Sequence, residues 1–437
     1  RRLTQPAGLR GARPRCWEGG ALPIGIYVHI PFCQRKCGYC DFNSHAGSDR
    51  AEQARYVDAL LREMDLWAAR PEVAGEQVST VYVGGGTPTL LEGEQLARVL
   101  TGIRQRFALA SDAEVTVEGN PGTVDVEGEK LHQAAAAGAN RISLGVQARQ
   151  RHLLERLGRI HDARQVEEAV AAARRAGFAN INLDLMYGLP GQTPADFRET
   201  IDWALALGPT HISAYSLIIE EGTPFYHDYQ SGRLRLPEEE AEERMFLEGK
   251  ARLEAAGFEH YEVSNYARPG FRCRHNLLYW RNEHYLGLGC GAHSFLRLAA
   301  PLGNLGPPRP GLTASRVQGG SEVETTPGAP GQQYRFWNLK HPGTYRAALE
   351  RGVLPVEAGE PIDRRHEMAE TMFMGLRLLE GVSDARFSAR FGLSVRAAYG
   401  AEVDRLERQG LVEWKDGALR LTPRGLRLGN LVWEAFV

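Results

Sequence analysis

The chain has 437 residues and a formal net charge of −2; 43% of its residues are hydrophobic and 24% are charged. That usage belongs to a globular protein long enough for a large core and two or three domains, without the broad basic field that nucleic acid attracts. Six cysteines are too few for a disulfide scaffold, and no apolar run approaches the ~18 residues of a membrane helix, so a soluble protein of a reducing compartment is expected.

Residues 1–23 open the chain with Arg1, Arg2, Arg10, Arg13 and Arg15 and no acid before Glu18. An organellar targeting segment is basic and acid-poor in this way, but Ser is scarce and no amphipathic period emerges. The stretch reads as an N-terminal extension, either a targeting segment or an over-extended start. From Ile24 to about Leu217, short apolar runs alternate with helical patterns. The runs are Ile24–Ile30, Thr80–Val83, Glu114–Val117, Arg141–Val146, Ile181–Met186 and His211–Leu217. Helical spacing predicts helices over Ala54–Trp67, Leu96–Phe107 and Ala163–Ala176. Six strand–helix repeats predict an α/β fold, a partial (β/α)6 barrel with helices outside its sheet.

Polar residues and glycines gather at the C-terminal ends of the runs, the edge at which such sheets place their sites. The first run leads into Cys33, Cys37 and Cys40, spaced C-x3-C-x2-C. Three thiolates hold three corners of a four-iron cluster and leave one iron open to a small molecule. Zinc is the alternative, with His29 or His45 as fourth ligand. Its sites favour widely separated C-x2-C pairs, whereas this motif is compact and flanked by Tyr39 and Phe42. The second run ends in Gly84-Gly-Gly-Thr87-Pro88, which lacks the Lys of a phosphate loop and suits the polar ends of an amino-acid-like ligand. Glu118, Gln147, Arg159 and Asp184 end or follow later runs. Each alone could cap a helix or pair with a neighbour; together they supply acceptors for ribose hydroxyls and an ammonium, and a cation for a carboxylate.

Downstream, Cys273-Arg-His275-Asn-Leu-Leu-Tyr279-Trp280 places a histidine among aromatics, either an axial haem ligand or a buried histidine with satisfied hydrogen bonds. Residues 299–333 are rich in Pro and Gly and read as an insertion. Asp363–Leu379 and Val395–Gln409 are predicted helices, and Val412–Trp414 with Leu419–Leu421 a hairpin about Asp416-Gly417. That order suggests a mostly helical, winged-helix-like module; its acids Glu402, Asp404 and Glu407 argue against DNA, and no nucleic-acid partner is expected. The expected domains are an extension to residue 23, a barrel with its extension over 24–298, the insertion 299–333 and a C-terminal domain over 334–437.

The strings Ile30-Pro-Phe-Cys33, Cys37-Gly-Tyr-Cys40-Asp-Phe-Asn-Ser-His45, Gly84-Gly-Gly-Thr-Pro-Thr89, Gly145-Val-Gln147, Leu157-Gly-Arg-Ile-His161 and Asp184-Leu-Met-Tyr-Gly-Leu-Pro190 together resemble the radical S-adenosylmethionine superfamily. Within it they are similar to the branch of oxygen-independent coproporphyrinogen III oxidase, from about Ile24 to Phe295 and more loosely beyond. The resemblance implies a [4Fe–4S] cluster on Cys33, Cys37 and Cys40. It implies S-adenosylmethionine against Tyr27, Tyr39, Gly85, Gly86, Thr87, Glu118, Gln147, Arg159 and Asp184.

Two features depart from the oxidase. Phe42 stands where it has a further Cys, and Arg1–Pro23 does not resemble its substrate segment. His275-Asn-Leu-Leu-Tyr-Trp280 instead resembles the H-N-x-x-Y-W string of the haem-chaperone members, implying haem at His275. The expectation is therefore a protein that binds haem, cluster and S-adenosylmethionine and passes haem to an acceptor protein. Such an acceptor could be a respiratory enzyme met peripherally at a membrane. The runner-up is oxidative decarboxylation of coproporphyrinogen III; a radical methyltransferase lacks any added methyl-carrying cysteine motif. A bacterial-type cytoplasm is the expected location, with the mitochondrion as alternative.

Overall fold

The computed structural model describes residues 23–299, 302 and 331–436. The expected N-terminal extension, apart from Pro23, and most of the expected insertion lie outside these residues. Six parallel strands form the centre of one sheet: β1 (Ile24–Ile30), β2 (Gln77–Gly85), β3 (Ala108–Gly119), β4 (Arg141–Gln147), β5 (Asn180–Tyr187) and β6 (His211–Ser216). Nearly every position of β1 and of the middle of β2 is buried, with Ile or Val at Ile24, Ile26, Val28, Ile30, Val78, Val81 and Val83, as a parallel strand covered on both faces requires.

Helices return the chain between these strands: α1 (Arg50–Ala68), α2 (Gly93–Arg106), α3 (Glu129–Ala136), α4 (Arg151–Leu157), α5 (Ala163–Arg175) and α6 (Pro194–Ala206). Their starts are chemically marked. Asp162 and Gln165 close a capping box on α5, and Thr193 with Pro194 opens α6. The predicted strands and helices are all present, mostly longer than expected. The shorter helices α3 and α4 escaped the apolar period because each spans only about two turns.

The chain then passes through α7 (Pro224–Gln230) and α8 (Glu239–Ala255) to the antiparallel strands β7 (Glu259–Glu262) and β8 (Asn265–Ala267). Helix α9 (Arg274–Trp280) leads to β9 (Tyr285–Leu288), parallel to the free edge of β1. The antiparallel strands β10 (His293–Leu298), β11 (Gln332–Asn338) and β12 (Val356–Ile362) follow. The order is β12-β11-β10-β9-β1-β2-β3-β4-β5-β6-β8-β7, twelve strands with open ends. Strand β11 begins at Gln332, within the last two residues of the expected insertion.

The buried carboxylate of Glu63 ties α1 to this extension. It accepts from Gly289 N (2.7 Å), Asn338 Nδ2 (2.6 Å) and, in the helix α10 (Pro342–Glu350), Tyr345 OH (2.6 Å). Beyond lie α11 (Arg364–Gly375), β13 (Val382–Ser383), α12 (Asp384–Phe391), α13 (Val395–Arg408), β14 (Val412–Lys415) and β15 (Ala418–Leu421). Asp416 and Gly417 both have positive φ (52° and 75°), the geometry of a tight hairpin turn. These elements gather around their own apolar cluster, which includes Met372, Phe387, Val403 and Leu419. Among the described residues no helix is long and apolar enough to cross a membrane.

Candidate functional site

Parallel register brings the C-terminal ends of β1–β6 to one rim. Ile30 pairs with Gly85, Glu118 with Ser143, Gly145 with Asp184, and Asp184 with Ser213. Beneath the rim lies a cavity of ≈ 480 Å³ lined by Cys33, Cys37, Tyr39, Cys40, Gly85, Gly86, Thr87, Glu118, Gln147, Arg159 and Asp184. Eleven of the thirteen site residues expected from sequence therefore meet in one place.

The cysteine loop is pinned from both sides. Gly86 N donates to Ile30 O (2.8 Å), Thr87 N to Phe32 O (2.7 Å), and Thr87 Oγ1 to Cys33 Sγ (3.7 Å). Opposite, Gly38 N donates to Leu157 O and accepts, through its carbonyl, from Phe225 N (3.0 Å). All three thiols are partly exposed and free. Burial, then the neighbouring thiols, push Cys40 up, with the Phe42 backbone opposing. His29, weighed as a zinc ligand, has both ring nitrogens engaged, by Tyr27 OH (2.9 Å) and Asn43 O (2.8 Å). Among the described residues no three His, Cys, Asp or Glu side chains converge as a single metal ion needs.

The glycine triplet has a packing cause beside the ligand approach expected of it. A Cβ on Gly84 would meet the Glu118 carboxyl at 2.8 Å, and one on Gly86 would meet the Ile30 and Phe32 backbone. Gly85 has φ 107° and lies against the His29 ring. Protein packing already demands all three glycines, and the backbone they free at Gly85 and Gly86 lines the cavity.

Two half-buried carboxylates face this space. Glu118 accepts from Tyr82 OH (2.7 Å) and Gly85 N (3.0 Å), and burial pushes it up to about 7. Asp184 accepts from Asn182 Nδ2 (2.7 Å) and Ser143 Oγ (3.2 Å) and is likewise raised by burial. Burial opposes the charge of Arg159, but Tyr39, Cys37 and Tyr215 outweigh it and hold the guanidinium protonated. Its Nε, like that of Arg141 on the cavity wall, is buried without a partner. Gln147 sits at φ 68°, where β4 and β5 slip register, and accepts from Tyr215 OH (3.0 Å). A non-glycine residue held there is a strained position that the surrounding fold enforces. Gly145 leaves room for Arg159, whose Nη2 would lie 3.0 Å from an added Cβ.

Two expected residues stand elsewhere. Tyr27 bonds His29 and stacks on Tyr82 (6.4 Å, 26°), but opens on a neighbouring cleft of ≈ 530 Å³. His275 is 0% exposed; Thr80 Oγ1 (2.8 Å) and Tyr279 OH (2.9 Å) occupy its two ring nitrogens. That is the geometry of a buried histidine with satisfied hydrogen bonds, one of the two readings its sequence offered. Burial lowers it to about 3. Sequence reading missed Tyr82, Arg141, Ser143, Asn182, Ser213 and Tyr215 on the cavity wall. The period-2 alternation Arg141-Ser143-Gly145 and Asn182-Asp184 carries that signal, since alternate residues of a strand share a face.

A radical SAM superfamily model matches residues 27–204, and a HemN C-terminal domain model matches residues 362–428. The heme chaperone HemW of Bacillus subtilis (strain 168) is 36% identical over 412 residues, 94% of this chain and 98% of that protein. HemW of Escherichia coli (strain K12) is 44% identical over 271 residues, 62% of this chain and 70% of its own. The solved structure of coproporphyrinogen III oxidase (HemN) from Escherichia coli, a radical SAM enzyme, superposes with a TM-score of 0.74 at 24% identity, covering 95% of this chain and 90% of its own, a likeness of fold. The rim of strand ends and its three-cysteine loop thus mark a radical SAM protein. The chain belongs to the heme chaperone HemW family.

Proposed function

We propose that this chain is a haem chaperone that carries a [4Fe–4S] cluster and S-adenosylmethionine and hands haem to a haem-requiring acceptor protein. The observation that carries the reading is the cavity itself. It joins three free thiols, two half-buried carboxylates and an arginine with a buried, unpartnered Nε, a donor set that fits a cluster beside a cationic amino-acid nucleotide. Cys33, Cys37 and Cys40 would hold the cluster, which when bound supplies one-electron reduction of the sulfonium. Glu118 and Asp184 would accept hydrogen bonds from ammonium or ribose, Arg159 would face the carboxylate, and Tyr39, Gln147, Gly85, Gly86 and Thr87 would shape the remaining wall. Phe42, where the oxidase has a further Cys, favours haem handling over decarboxylation. The bacterial relatives suit action in the cytoplasm, with any contact to membrane respiratory enzymes peripheral.

Anaerobic reconstitution with iron and sulfide is expected to give a [4Fe–4S] electron-resonance signal that changes on adding S-adenosylmethionine. Cys37→Ser is expected to abolish it. The same preparation should bind haemin and release it to a haem-free acceptor. Protoporphyrinogen formed from coproporphyrinogen III with matching 5′-deoxyadenosine would overturn haem transfer as the sole role. Failure to bind haemin would overturn the reading itself.

A further inference from the structure

Below the residues assigned to cluster and nucleotide, the cavity has an inner polar wall that neither uses. Arg141 opens β4 and shares a face with Ser143 and Gly145, which lie nearer the rim. Asn265 of β8 pairs with Ser213, which pairs in turn with Asp184. Ser264 and Asn276 line the same space.

Two groups on this wall lack the partner that burial demands. Arg141 is 2% exposed, and its Nε has no acceptor. The charges of Glu114, Glu118 and Asp184 reach it, but their oxygens are engaged elsewhere. Glu114 accepts from Arg274 N and His275 N (both 3.1 Å), Glu118 from Tyr82 and Gly85, and Asp184 from Asn182 and Ser143. Among the described residues Arg141 forms no ion pair. Asn265 is 6% exposed; its amide bonds the Glu262 carboxyl, and its Oδ1 is buried without a donor. A buried cation without an acceptor and a buried acceptor without a donor are both costly to leave unmet.

We infer that this inner wall is a second ligand site, built for a small hydroxy acid. The ligand's carboxylate meets Arg141 and its hydroxyl donates to Asn265 Oδ1, with Ser264 and Asn276 at its border. A hydroxyl suits the place better than an ammonium, because it adds no positive charge beside the guanidinium. The site goes beyond haem handling: it puts a small organic acid in the same cavity as cluster and nucleotide. It also joins the H-N-x-x-Y-W string to that cavity, since Asn276 is the second residue of the string.

Glycolate labelled with carbon-13 at its carboxyl, titrated into the full chain holding cluster and S-adenosylmethionine and followed by NMR, tests the site. Saturable binding is expected, at least about tenfold tighter than for acetate, which lacks the hydroxyl, or glycolamide, which lacks the charge. Arg141→Met should weaken glycolate at least about tenfold. Asn265→Ala should bring glycolate down to the affinity of acetate and leave acetate unchanged. In both variants the cluster's electron-resonance response to S-adenosylmethionine should persist. Wild type that takes up no glycolate, or Arg141→Met that binds it as tightly as wild type, overturns the site. So does Arg141→Met that weakens S-adenosylmethionine but not its decarboxylated analogue, since the guanidinium then serves the nucleotide's own carboxylate. Should Arg141→Met fail to fold, Asn265→Ala decides alone: a variant that still favours glycolate over acetate overturns the assignment.

Discussion

At the scale of single residues, the cavity's chemistry depends on carboxylates whose ionisation partial burial opposes. Glu118 lies well above the ordinary carboxylate range, at about 7, chiefly through burial. The neutral acid therefore stabilises the ligand-free fold, and that contribution is lost as pH rises from the ordinary value through about 7. A cationic ligand prefers the ionised form. S-adenosylmethionine affinity is thus expected to rise between pH 6 and pH 8, and Glu118→Gln should flatten this slope and cost about tenfold at pH 8. Calorimetric titration at the two pH values decides it; a variant with the wild-type slope would remove Glu118 from the site.

Sequence alone made the cysteines and Glu118 legible, because they follow an apolar run, and Asp184, because it is a charge inside one. It did not reveal that Tyr27 opens on a second cleft, or that His275 is sealed between Thr80 and Tyr279. Both facts depend on α9, whose contact with β2 joins positions some two hundred residues apart, and no local pattern encodes that.

Among the elements, the cysteine loop after β1 is clamped on both sides, partly through the backbone of Gly38 and Gly86. A Cβ on Gly38 would lie 2.7 Å from the Phe225 ring on α7. Gly38→Ala should lower iron incorporation after reconstitution while changing the unfolding free energy by no more than about 1–2 kcal/mol, since a ring at the loop's edge can give way. Iron per chain and urea unfolding on one sample test this. Glu63 works at the same scale. Glu63→Ala would strand donors from Gly289, Asn338 and Tyr345 in the interior, and a loss of roughly 3 kcal/mol is expected from the urea midpoint. The central strands and their helices were readable because strand and helix periods alternate cleanly. The antiparallel extension was not, because β9 returns to β1 from far along the chain.

For the whole molecule, one partly buried guanidinium helps to fasten the C-terminal module. Arg390 of α12 pairs with Glu367 of α11 (2.6 Å) and donates to the carbonyls of Arg281 (3.3 Å) and Asn282 (2.9 Å) at the end of α9. One guanidinium thus joins the module to the segment that carries the H-N-x-x-Y-W string. Arg390→Ala should cost about 2–3 kcal/mol and loosen this junction first. Limited proteolysis should then cut between residues 363 and 395 before the barrel is attacked; an unchanged cleavage pattern would place the fastening elsewhere.

The loop after β1 is a party wall. Lys36, Asp41, Phe42 and Ser44 border both the cavity and the cleft. Whatever fills one chamber presses on the same few side chains that the other chamber's guest must touch. Each occupant then alters the grip on its neighbour, and thermodynamics requires the factor to be equal in both directions. Two ligands, one on each side of so thin a partition, would be loaded and unloaded as one coupled equilibrium.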